Sequence, residues 1–584
     1  MMPKNKLSIY LLLFALAFTV PCFGYNEGLF SAQIPKYEVR AVWLTTLGGL
    51  DWPRQRAGNR TLEQQQKKEL TDILDKLKAA NINTVLFQTR IRGTVIYPSA
   101  IEPWDECITG TYGKRPEYDP LAFAIEECHK RGMEIQAWVV AIPAGRWNSF
   151  GCRALRRKHP GLIVKKGNEG FIDPANPRAA TYIANICKEI TDKYDVDGIH
   201  LDYIRYPEVW DGGRSQRRNH RTQGRSHADA VKLEQQIRNI TSIVRSVHNA
   251  VKGTKPWVKL SCATIGKYSD LKRSYSNGWN ALVKGRQDAQ EWLRLGIVDQ
   301  LYPMMYFRGN NFYPFAFDWK ENSHGRTVVP GLGIYFMSDG QGRWPLSEIE
   351  RQMNVARANG MGYAMFRAKH LIDNTKGIYV FTKETFNTYP ALIPPTIQDS
   401  IRRPEPPTNL QAKRTGDYIS VNWNTPANDY NTDGGLAFNI YASDKQPVDI
   451  NDARNLLKTY EKGNFLTVKT DKQLHFAITS IDRYGNESEP LYDEEAERRK
   501  GKSGTHTHYN ILSNNGLWLS LPPKGHSLDA DYIVIKSLAG VIIATRPYNG
   551  EKANIGGIAQ GCYSIYSLNG KGVAHRLGFT IIKR

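Results

Sequence analysis

One stretch of the sequence decides the fold: Asp195-Val-Asp-Gly-Ile-His-Leu-Asp-Tyr-Ile-Arg-Tyr-Pro207. It follows a helical pattern over residues 178–193 and predicts a short buried strand, residues 198–202, that ends on the carboxylate of Asp202. In a barrel of alternating strands and helices, the chemistry takes place where strands end and loops begin. The stretch therefore predicts a barrel strand with an acidic residue at its functional end.

Similar units recur from residue 38 to about residue 390. Apolar strand patterns cover residues 39–44, 84–88, 134–140, 198–202, 258–263, 300–306, 328–334 and 362–366. Helical patterns cover residues 62–79, 120–131, 178–193, 228–251, 288–295 and 346–359, whereas residues 308–326 show no clear helix. Eight continuous apolar strands that alternate with helices are typical of a (β/α)8 barrel.

Two all-β regions are predicted after the barrel. Residues 393–408 contain five prolines and predict a linker, and residues 409–497 show short alternating strands. Basic residues 498–504 predict a second linker, and residues 505–584 again predict short strands. The predicted fold class is therefore α/β: a (β/α)8 TIM barrel, residues 25–392, followed by two small all-β sandwich domains.

Residues 1–24 are typical of a signal peptide. Lys4 and Lys6 precede the apolar residues 7–20, and Gly24 offers a small residue for cleavage. Lipid anchoring at Cys22 is the alternative to cleavage near Gly24. No other segment is apolar over 18 residues, so we expect an exported protein without a transmembrane segment once the signal is removed.

The formal net charge of +21 limits the class of partner. Nucleic acid is not expected, because no nucleic-acid-binding motif accompanies the basic residues and the signal peptide predicts export. An anionic glycan outside the cytoplasm fits the charge, and a gain in solubility explains it equally well. The cysteines are not spaced as metal ligands, so no metal or other cofactor is predicted, and nothing in the sequence indicates an oligomeric state.

The chemistry predicted for the barrel relies on carboxylates and aromatic rings. The sequence has no Gly-x-Ser-x-Gly, His-Glu-x-x-His, Walker or dinucleotide-binding motif. Eleven of the thirteen tryptophans precede Pro390. Because aromatic rings bind the apolar faces of sugars while carboxylates act as acid, base or nucleophile, these residues predict a glycoside hydrolase.

Several motifs resemble those of glycosyl hydrolase-like family ten, which are exported bacterial barrels. They include Glu38-Val-Arg-Ala-Val-Trp-Leu-Thr-Thr46, Asp51-Trp-Pro53, Phe87-Gln-Thr-Arg90, Tyr118-Asp-Pro-Leu121, Asp195–Pro207 and Tyr302-Pro-Met-Met-Tyr306. The resemblance implies a TIM barrel that acts on bacterial or environmental polysaccharides, with peptidoglycan glycan strands as the best-supported substrate. Three positions depart from the family's pattern, namely Thr94, Gln136 and Tyr203.

Two weaker resemblances concern the regions after the barrel. Ser480-Ile-Asp-Arg-Tyr-Gly-Asn-Glu-Ser488 resembles the end of a fibronectin type III module. The runs Gly561-Cys-Tyr-Ser-Ile-Tyr, Leu568-Asn-Gly-Lys571 and Phe579-Thr-Ile-Ile-Lys583 resemble the C-terminal sorting domain of type IX secretion cargo. An accessory sandwich without a sorting role is the alternative for this last region.

Asp202 is the predicted nucleophile or general base. Alternatively, it is a structural carboxylate that pairs with Arg205 or Arg90. We select Glu208 as the general acid, ahead of three other loop carboxylates: Asp211, Asp105 and Glu106. The separation of the two carboxylates would decide whether the enzyme retains or inverts configuration.

Nine residues at or beyond strand ends are predicted to bind substrate: Gln88, Arg90, Tyr97, Trp104, Trp138, His200, Tyr203, Arg205 and Tyr306. Core packing is the alternative for each aromatic residue, and His200 fits a hydrogen-bonded core histidine better than a base. The arginines Arg214, Arg217, Arg218, Arg221 and Arg225 predict a basic loop that either holds an anionic glycan or is simply solvated.

The leading hypothesis is thus an exported, metal-independent glycoside hydrolase that uses two carboxylates. The alternative from a second class is a non-catalytic glycan-binding surface protein on a barrel scaffold. A purely structural adhesin would explain the sandwiches but not the polar residues at the strand ends.

Overall fold

The structure, a computed structural model, describes residues 34–207, 227–274, 279–396, 403–426 and 435–493, together with several segments between residues 514 and 582. The predicted signal peptide, Glu208, Asp211 and the arginines of residues 214–225 lie outside the described residues. The chain falls into two compact units that divide after residue 496. No described helix is long and apolar enough to cross a membrane.

A closed barrel of parallel strands forms most of the first unit. Its strands and those of an inserted hairpin are β1 (Arg40–Leu44), β2 (Thr84–Arg90), β3 (Glu134–Val140), β4 (Pro143–Arg146), β5 (Ile163–Lys166), β6 (Glu169–Ile172), β7 (Gly198–Asp202), β8 (Lys259–Ile265), β9 (Gln300–Met304), β10 (Thr327–Val328), β11 (Gly331–Leu332) and β12 (Tyr363–Met365). The barrel order is β1-β2-β3-β7-β8-β9, followed by β10 and β11 as a divided seventh strand, and then β12, which pairs with β1. The predicted TIM barrel is confirmed.

Helices cover the outside of the barrel strands. They are α1 (Arg60–Ala79), α2 (Glu106–Thr109), α3 (Pro120–Lys130), α4 (Phe150–Lys158), α5 (Arg178–Lys193), α6 (His227–Thr254), α7 (Ala289–Arg294), α8 (Tyr313–Glu321), α9 (Leu346–Ala358), α10 (Ala368–Ile372) and α11 (Ile378–Phe381). Local capping sets their starts: the Asn59 side chain accepts a hydrogen bond from the backbone of Leu62, and Asp119 accepts one from Leu121 immediately before α3. Every residue of β1, β2, β3, β7 and β8 is buried, as expected for strands covered on both faces.

Three details of the barrel differ from the sequence-based expectation. The segment without a clear helical pattern contains α8, which begins with Tyr313-Pro314 and is rich in aromatic residues. The predicted strand 328–334 is divided into β10 and β11, because Pro330 lies between them and has no backbone N–H for the ladder. A three-stranded antiparallel sheet in the order β4-β6-β5, which contains the β5–β6 hairpin and is inserted between two barrel strands, was not predicted.

The remaining described strands form small antiparallel sheets. In the first unit, these strands are β13 (Thr408–Thr415), β14 (Tyr418–Asn424), β15 (Ala437–Ser443), β16 (Leu456–Glu461), β17 (Phe465–Lys469), β18 (His475–Ile481) and β19 (Leu491–Tyr492). They build a three-stranded and a four-stranded sheet. In the second unit, β20 (Trp518–Ser520) pairs with β23 (Lys552–Asn554), and β21 (Tyr532–Ser537), β22 (Ile542–Pro547), β24 (Gly561–Leu568) and β25 (Ala574–Ile582) form a four-stranded sheet. The expectation of small all-β regions after the barrel is confirmed.

The segment before β7 contacts Arg483, which follows β18 of the four-stranded sheet in the first unit. The Arg483 guanidinium lies 2.7 Å from Asp195 and 3.4 Å from Asp197, and His129 contacts the same Asp197 carboxylate at 2.9 Å. These contacts hold the N-terminal ends of the barrel strands against the sheets. The C-terminal strand ends, including Asp202, lie at the opposite end of the barrel and are free to form a site.

A buried ion pair joins the end of β2 to the adjoining loop. Arg90 donates to both carboxylate oxygens of Glu102, at 2.9 and 2.7 Å, and to the carbonyls of Val140 and Ala141. Tyr182 of α5 donates to Glu102 at 2.6 Å. Both charged side chains are almost completely buried, so removal of either one would leave an uncompensated buried charge.

We expect Glu102→Gln to lower the free energy of unfolding by about 3–5 kcal/mol, because it leaves the buried Arg90 charge uncompensated. Urea unfolding followed by tryptophan fluorescence measures the change. The control is Glu321→Gln, whose pair with Arg273 is exposed to solvent and should contribute little to stability. Equal losses in both variants would contradict a special role for the buried pair.

Candidate active site at the barrel mouth

Asp202 is held in place at the C-terminal end of β7. The indole Nε1 of Trp138 donates to Asp202 Oδ2 at 3.1 Å, and the backbone N–H of Tyr203 donates to Oδ1 at 2.6 Å. Tyr203 has a φ of 50°, so the chain turns sharply where the strand ends. The carboxylate, only 5% exposed, is therefore oriented through both of its oxygens.

The surroundings of Asp202 alter its acidity. Burial raises its pKa above the ordinary value, while the positive charges of Arg205 and Arg92 and the two N–H donors oppose this effect. The net pKa is raised. A raised carboxyl pKa together with specific charge partners is typical of residues that transfer protons or attack substrates.

A cleft of about 280 Å³ is lined by Tyr203, the residue that follows Asp202, but not by Asp202 itself. Its lining residues come from the loops after β2, β3, β7 and β8 and from β6 of the inserted hairpin; they are Arg92, Ile142, Pro143, Glu169, Phe171, Tyr203, Arg205, Pro207 and Trp279. All four of these barrel loops follow C-terminal strand ends, where TIM-barrel enzymes bind their substrates. Glu169 is the one carboxylate among these described lining residues.

Arg205 lines the cleft and has a buried hydrogen-bond donor without an acceptor in the described part of the chain. Its guanidinium lies over the rings of Tyr203, at 4.3 Å, and Trp279, at 5.2 Å. The residue is 8% exposed, and its Nη1 atom is buried with no hydrogen-bond partner among the described residues. A buried donor without an acceptor is costly, so a ligand oxygen at this position would be stabilised.

Tyr306 faces Asp202 from the loop after β9. Burial raises the pKa of its hydroxyl well above the ordinary value, and the negative charge of Asp202 adds to this effect. Its ring packs against Phe366 at 5.5 Å and Tyr335 at 5.8 Å between centroids. Tyr203, Arg205, Trp138 and Tyr306 thus surround the predicted catalytic carboxylate.

His200 belongs to a hydrogen-bonded chain that crosses the barrel interior. Trp43 donates to His200 Nε2 at 3.1 Å, so the other ring nitrogen, Nδ1, carries the proton and donates to Ser261 at 2.8 Å. Ser261 donates to Gln136 at 2.6 Å. Gln136 donates at 2.9 Å to Gln300, which also accepts from Tyr302 at 3.0 Å. His200 and its partners are buried, and their hydrogen-bonding groups are paired with one another. This arrangement is typical of a structural histidine in a protein core.

Four other residues predicted to bind substrate lie away from the cleft. Gln88 accepts through one oxygen from the Thr45 hydroxyl and from the backbone N–H groups of Thr46 and Leu47. Tyr97 is buried and donates to Glu189 at 2.9 Å. Trp104 is 9% exposed, and Arg90 is engaged by Glu102 as described above. The structure brings none of these four into the cleft lining, and their predicted contact with substrate stays untested.

Sequence reasoning overlooked Arg92, Trp279 and Glu169. Glu169 is carried by the inserted hairpin, and the turn residues Gly167-Asn168 between two short strands were the signal that predicts it. Trp279 is far from any strand end in sequence, and only its place in the cleft distinguishes it from other tryptophans. Among the described residues, no group of three or more histidine, cysteine, aspartate or glutamate side chains is placed to hold a metal ion.

Comparison with known proteins identifies the family. The model of the family described as glycosyl hydrolase-like 10 matches residues 38–336, just over half of the chain. The chain belongs to this family. It is therefore a glycoside hydrolase by family, with the candidate site inside the matched region.

Relatives and solved structures are also similar to this chain. The glycosyl hydrolase YngK of Bacillus subtilis is 28% identical over 484 residues, which cover 77% of this chain and 92% of that protein. The glycosyl hydrolase DigH of Escherichia coli is 28% identical over 47% of this chain and 67% of its own length. The glycoside hydrolase domain of PgaB from Bordetella bronchiseptica matches with a TM-score of 0.41 and 14% identity, over 59% of this chain and 98% of that domain.

The His200 ring should make stability depend on pH. Burial lowers its pKa to about 3 from the ordinary 6.5. Because the folded pKa lies below the unfolded pKa, the neutral ring contributes fully above about pH 6.5, and this contribution is lost as pH falls from 6.5 towards 3. At pH 5 the loss should be about 2 kcal/mol.

The free energy of unfolding at pH 7.5 and pH 5 tests this for the wild type and for His200→Gln, which keeps an amide in the chain. We expect the free energy of unfolding to fall by about 2 kcal/mol less in the variant than in the wild type when the pH is lowered from 7.5 to 5. Equal decreases would show that His200 does not titrate in this range.

Proposed function

We propose that the protein is an exported enzyme that hydrolyses glycosidic bonds of a polysaccharide, with Asp202 as the nucleophile or general base. The observation that supports this most is the buried Asp202 carboxylate, which is oriented by Trp138 and by the backbone of Tyr203, a residue that lines the cleft at the barrel mouth. Glycoside hydrolysis passes through an oxocarbenium-like transition state, which a fixed carboxylate stabilises. A second carboxyl group must protonate the leaving oxygen.

Two residues are candidates for the general acid. Glu208, selected from the sequence, follows Pro207 of the cleft but lies outside the described residues. Glu169 lines the cleft itself, and no opposing charge forms a salt bridge with it among the described residues. We therefore propose Glu169 as the general acid, because it lines the cleft. Glu208 is the alternative.

The proposed substrate is an anionic glycan, with peptidoglycan glycan strands as the specific choice. Arg92 and Arg205 bring two positive charges to the cleft, and Arg205 Nη1 lacks an acceptor among the described residues. Muramic acid residues carry a carboxylate once their stem peptides are removed, and a guanidinium binds carboxylates through paired hydrogen bonds. The net charge of +21 agrees with a negatively charged polymer as the partner.

The regions after the barrel are proposed to serve attachment and export. The two sheets of residues 408–492 fit a fibronectin type III-like module, and the sheets of the second unit fit a sorting domain of type IX secretion cargo. Both assignments rest on the sequence resemblances, together with the predicted signal peptide of residues 1–24 and the alternative of lipid anchoring at Cys22.

Asp202→Asn should lower the rate of reducing-end release by about 10²–10⁴-fold while glycan binding is retained, because the amide cannot act as nucleophile or base. The assay uses purified peptidoglycan, intact and stripped of stem peptides, and a panel of polysaccharides. Asp192→Asn is the matched control, since this exposed carboxylate on α5 pairs only with Lys188 among the described residues. Parallel Glu169→Gln and Glu208→Gln variants identify the general acid.

An unchanged rate in Asp202→Asn would contradict the proposed role of this residue. Tight binding without release from any substrate would instead favour the non-catalytic glycan-binding protein.

Arg205→Met should raise KM for an anionic glycan about tenfold and leave KM for a neutral glycan within about twofold, because a charged hydrogen bond is worth about 1.5–3 kcal/mol. The measurement compares stripped peptidoglycan strands with the same strands after chemical reduction of their carboxyl groups. Arg273→Met, on the outside of the barrel, is the control. Equal effects on charged and reduced strands would rule out carboxylate recognition by Arg205.

A further inference from the structure

A second set of aromatic rings lies at the barrel mouth, and the cleft does not include them. These rings follow β9, β11 and β12, and we name them the aromatic wall: Tyr306, Tyr335, Phe336, Trp344 and Phe366. Of these, the sequence singled out only Tyr306.

The rings of the aromatic wall form one continuous set of contacts. Tyr306 contacts Phe366 and Tyr335, with centroids 5.5 and 5.8 Å apart. Tyr335 lies 4.1 Å from Phe336, and Phe336 stacks on Trp344 at 4.8 Å with an angle of 22° between the rings. Mutual packing fixes the rings in place before any ligand arrives, which lowers the entropic cost of binding.

Two glycines make room for this packing. A Cβ atom on Gly333 would lie 3.1 Å from both Tyr306 Cβ and Phe336 Cδ2. A Cβ atom on Gly342 would lie 2.8 Å from Trp344 Nε1 and 3.0 Å from Phe336 Cδ1. A side chain at position 342 would force the Trp344 ring to shift, and one at position 333 would require its neighbours to move by a few tenths of an ångström, so the backbone packs closely against the aromatic wall.

The aromatic wall presents apolar ring surface to solvent. Tyr306, Tyr335, Phe336 and Phe366 are half-buried, whereas Trp344, at 7% exposed, supports them from behind. Exposed ring surface beside a polar site suits the apolar faces of sugar rings.

The aromatic wall and the cleft follow different strands of the barrel. The cleft loops follow β2, β3, β7 and β8, and the aromatic wall follows β9, β11 and β12, which lie between β8 and β1 in the closed order. Tyr306 lies near enough to Asp202 for the carboxylate to influence its hydroxyl. A glycan that contacted both surfaces would cross the barrel mouth, where β7 ends at Asp202.

We propose that the aromatic wall binds sugar rings on the side of Asp202 opposite the cleft, so that the glycan spans the barrel mouth and is cleaved at an internal bond. This inference rests on the proposed function, because it assigns substrate positions on both sides of the same carboxylate. An enzyme that removed sugars only from chain ends would need one of the two sides to be closed.

The first test measures binding in an Asp202→Asn background, with stripped peptidoglycan strands of graded length and a polysaccharide panel as probes. We expect Tyr335→Ala and Phe336→Ala to raise Kd for long chains about tenfold, and to change Kd for disaccharides less than about twofold. Tyr335→Phe keeps the ring and should bind normally. Phe465→Ala, an exposed aromatic change on a small sheet far along the chain, is the matched control. Thermal unfolding of each variant identifies any loss of fold.

The second test follows the sizes of products released by the wild type. Internal cleavage predicts that long chains shorten into intermediate lengths before disaccharides accumulate. Unchanged Kd values in folded Tyr335→Ala and Phe336→Ala proteins would overturn the binding role of the aromatic wall even if the enzyme is active. Stepwise release from chain ends would overturn internal cleavage, whereas a wild type that binds but releases no reducing ends would refute the proposed function and internal cleavage together.

Discussion

The barrel depends on the satisfaction of polar groups inside a closed ring of parallel strands. Trp43, Gln136, His200, Ser261 and Gln300 come from five different strands, and each is at most 2% exposed. Left unpaired at this depth, each would cost on the order of 1–3 kcal/mol. Because the chain of hydrogen bonds pairs them all, it sets the relative positions of the strands as well as contributing to stability.

The hydrogen-bonded residues inside the barrel also determine the geometry of the candidate site. His200 and Asp202 are two residues apart on β7, so both point to the same side of the strand. Trp138, which orients Asp202, pairs in register with His200 on the neighbouring strand. A change in the register of β3 against β7 would therefore disturb the interior hydrogen bonds and the position of the Asp202 carboxylate at the same time. The neutral state of His200 fits this structural role, since a charged ring at the same place would face no carboxylate among its contacts.

Much of the fold was predictable because local pattern and tertiary environment agree. The observed β3, β7 and α5 have the predicted bounds, since each is a long apolar or amphipathic segment with clear ends. Helix α8 was missed because proline and four aromatic residues among its nine positions, Tyr313-Pro-Phe-Ala-Phe-Asp-Trp-Lys-Glu321, give little helical periodicity. The inserted hairpin was missed because its strands have only four residues each, so they show little periodicity of their own.

The candidate site was less predictable than the fold, and Arg90 and Arg205 show why. Both are arginines near the end of a barrel strand, and nothing in their local sequence separates them. The difference arises from a loop: Glu102, twelve residues after Arg90, folds back to meet its guanidinium, whereas Arg205 lies over two aromatic rings and retains a nitrogen without a described acceptor. A buried charge that is already paired contributes to stability, and a buried donor that is unpaired is available to a ligand. The same reasoning separates the aromatic residues, because Tyr97 is buried with its hydroxyl bonded to Glu189, while the half-buried rings around Tyr306 still present surface that a sugar can cover.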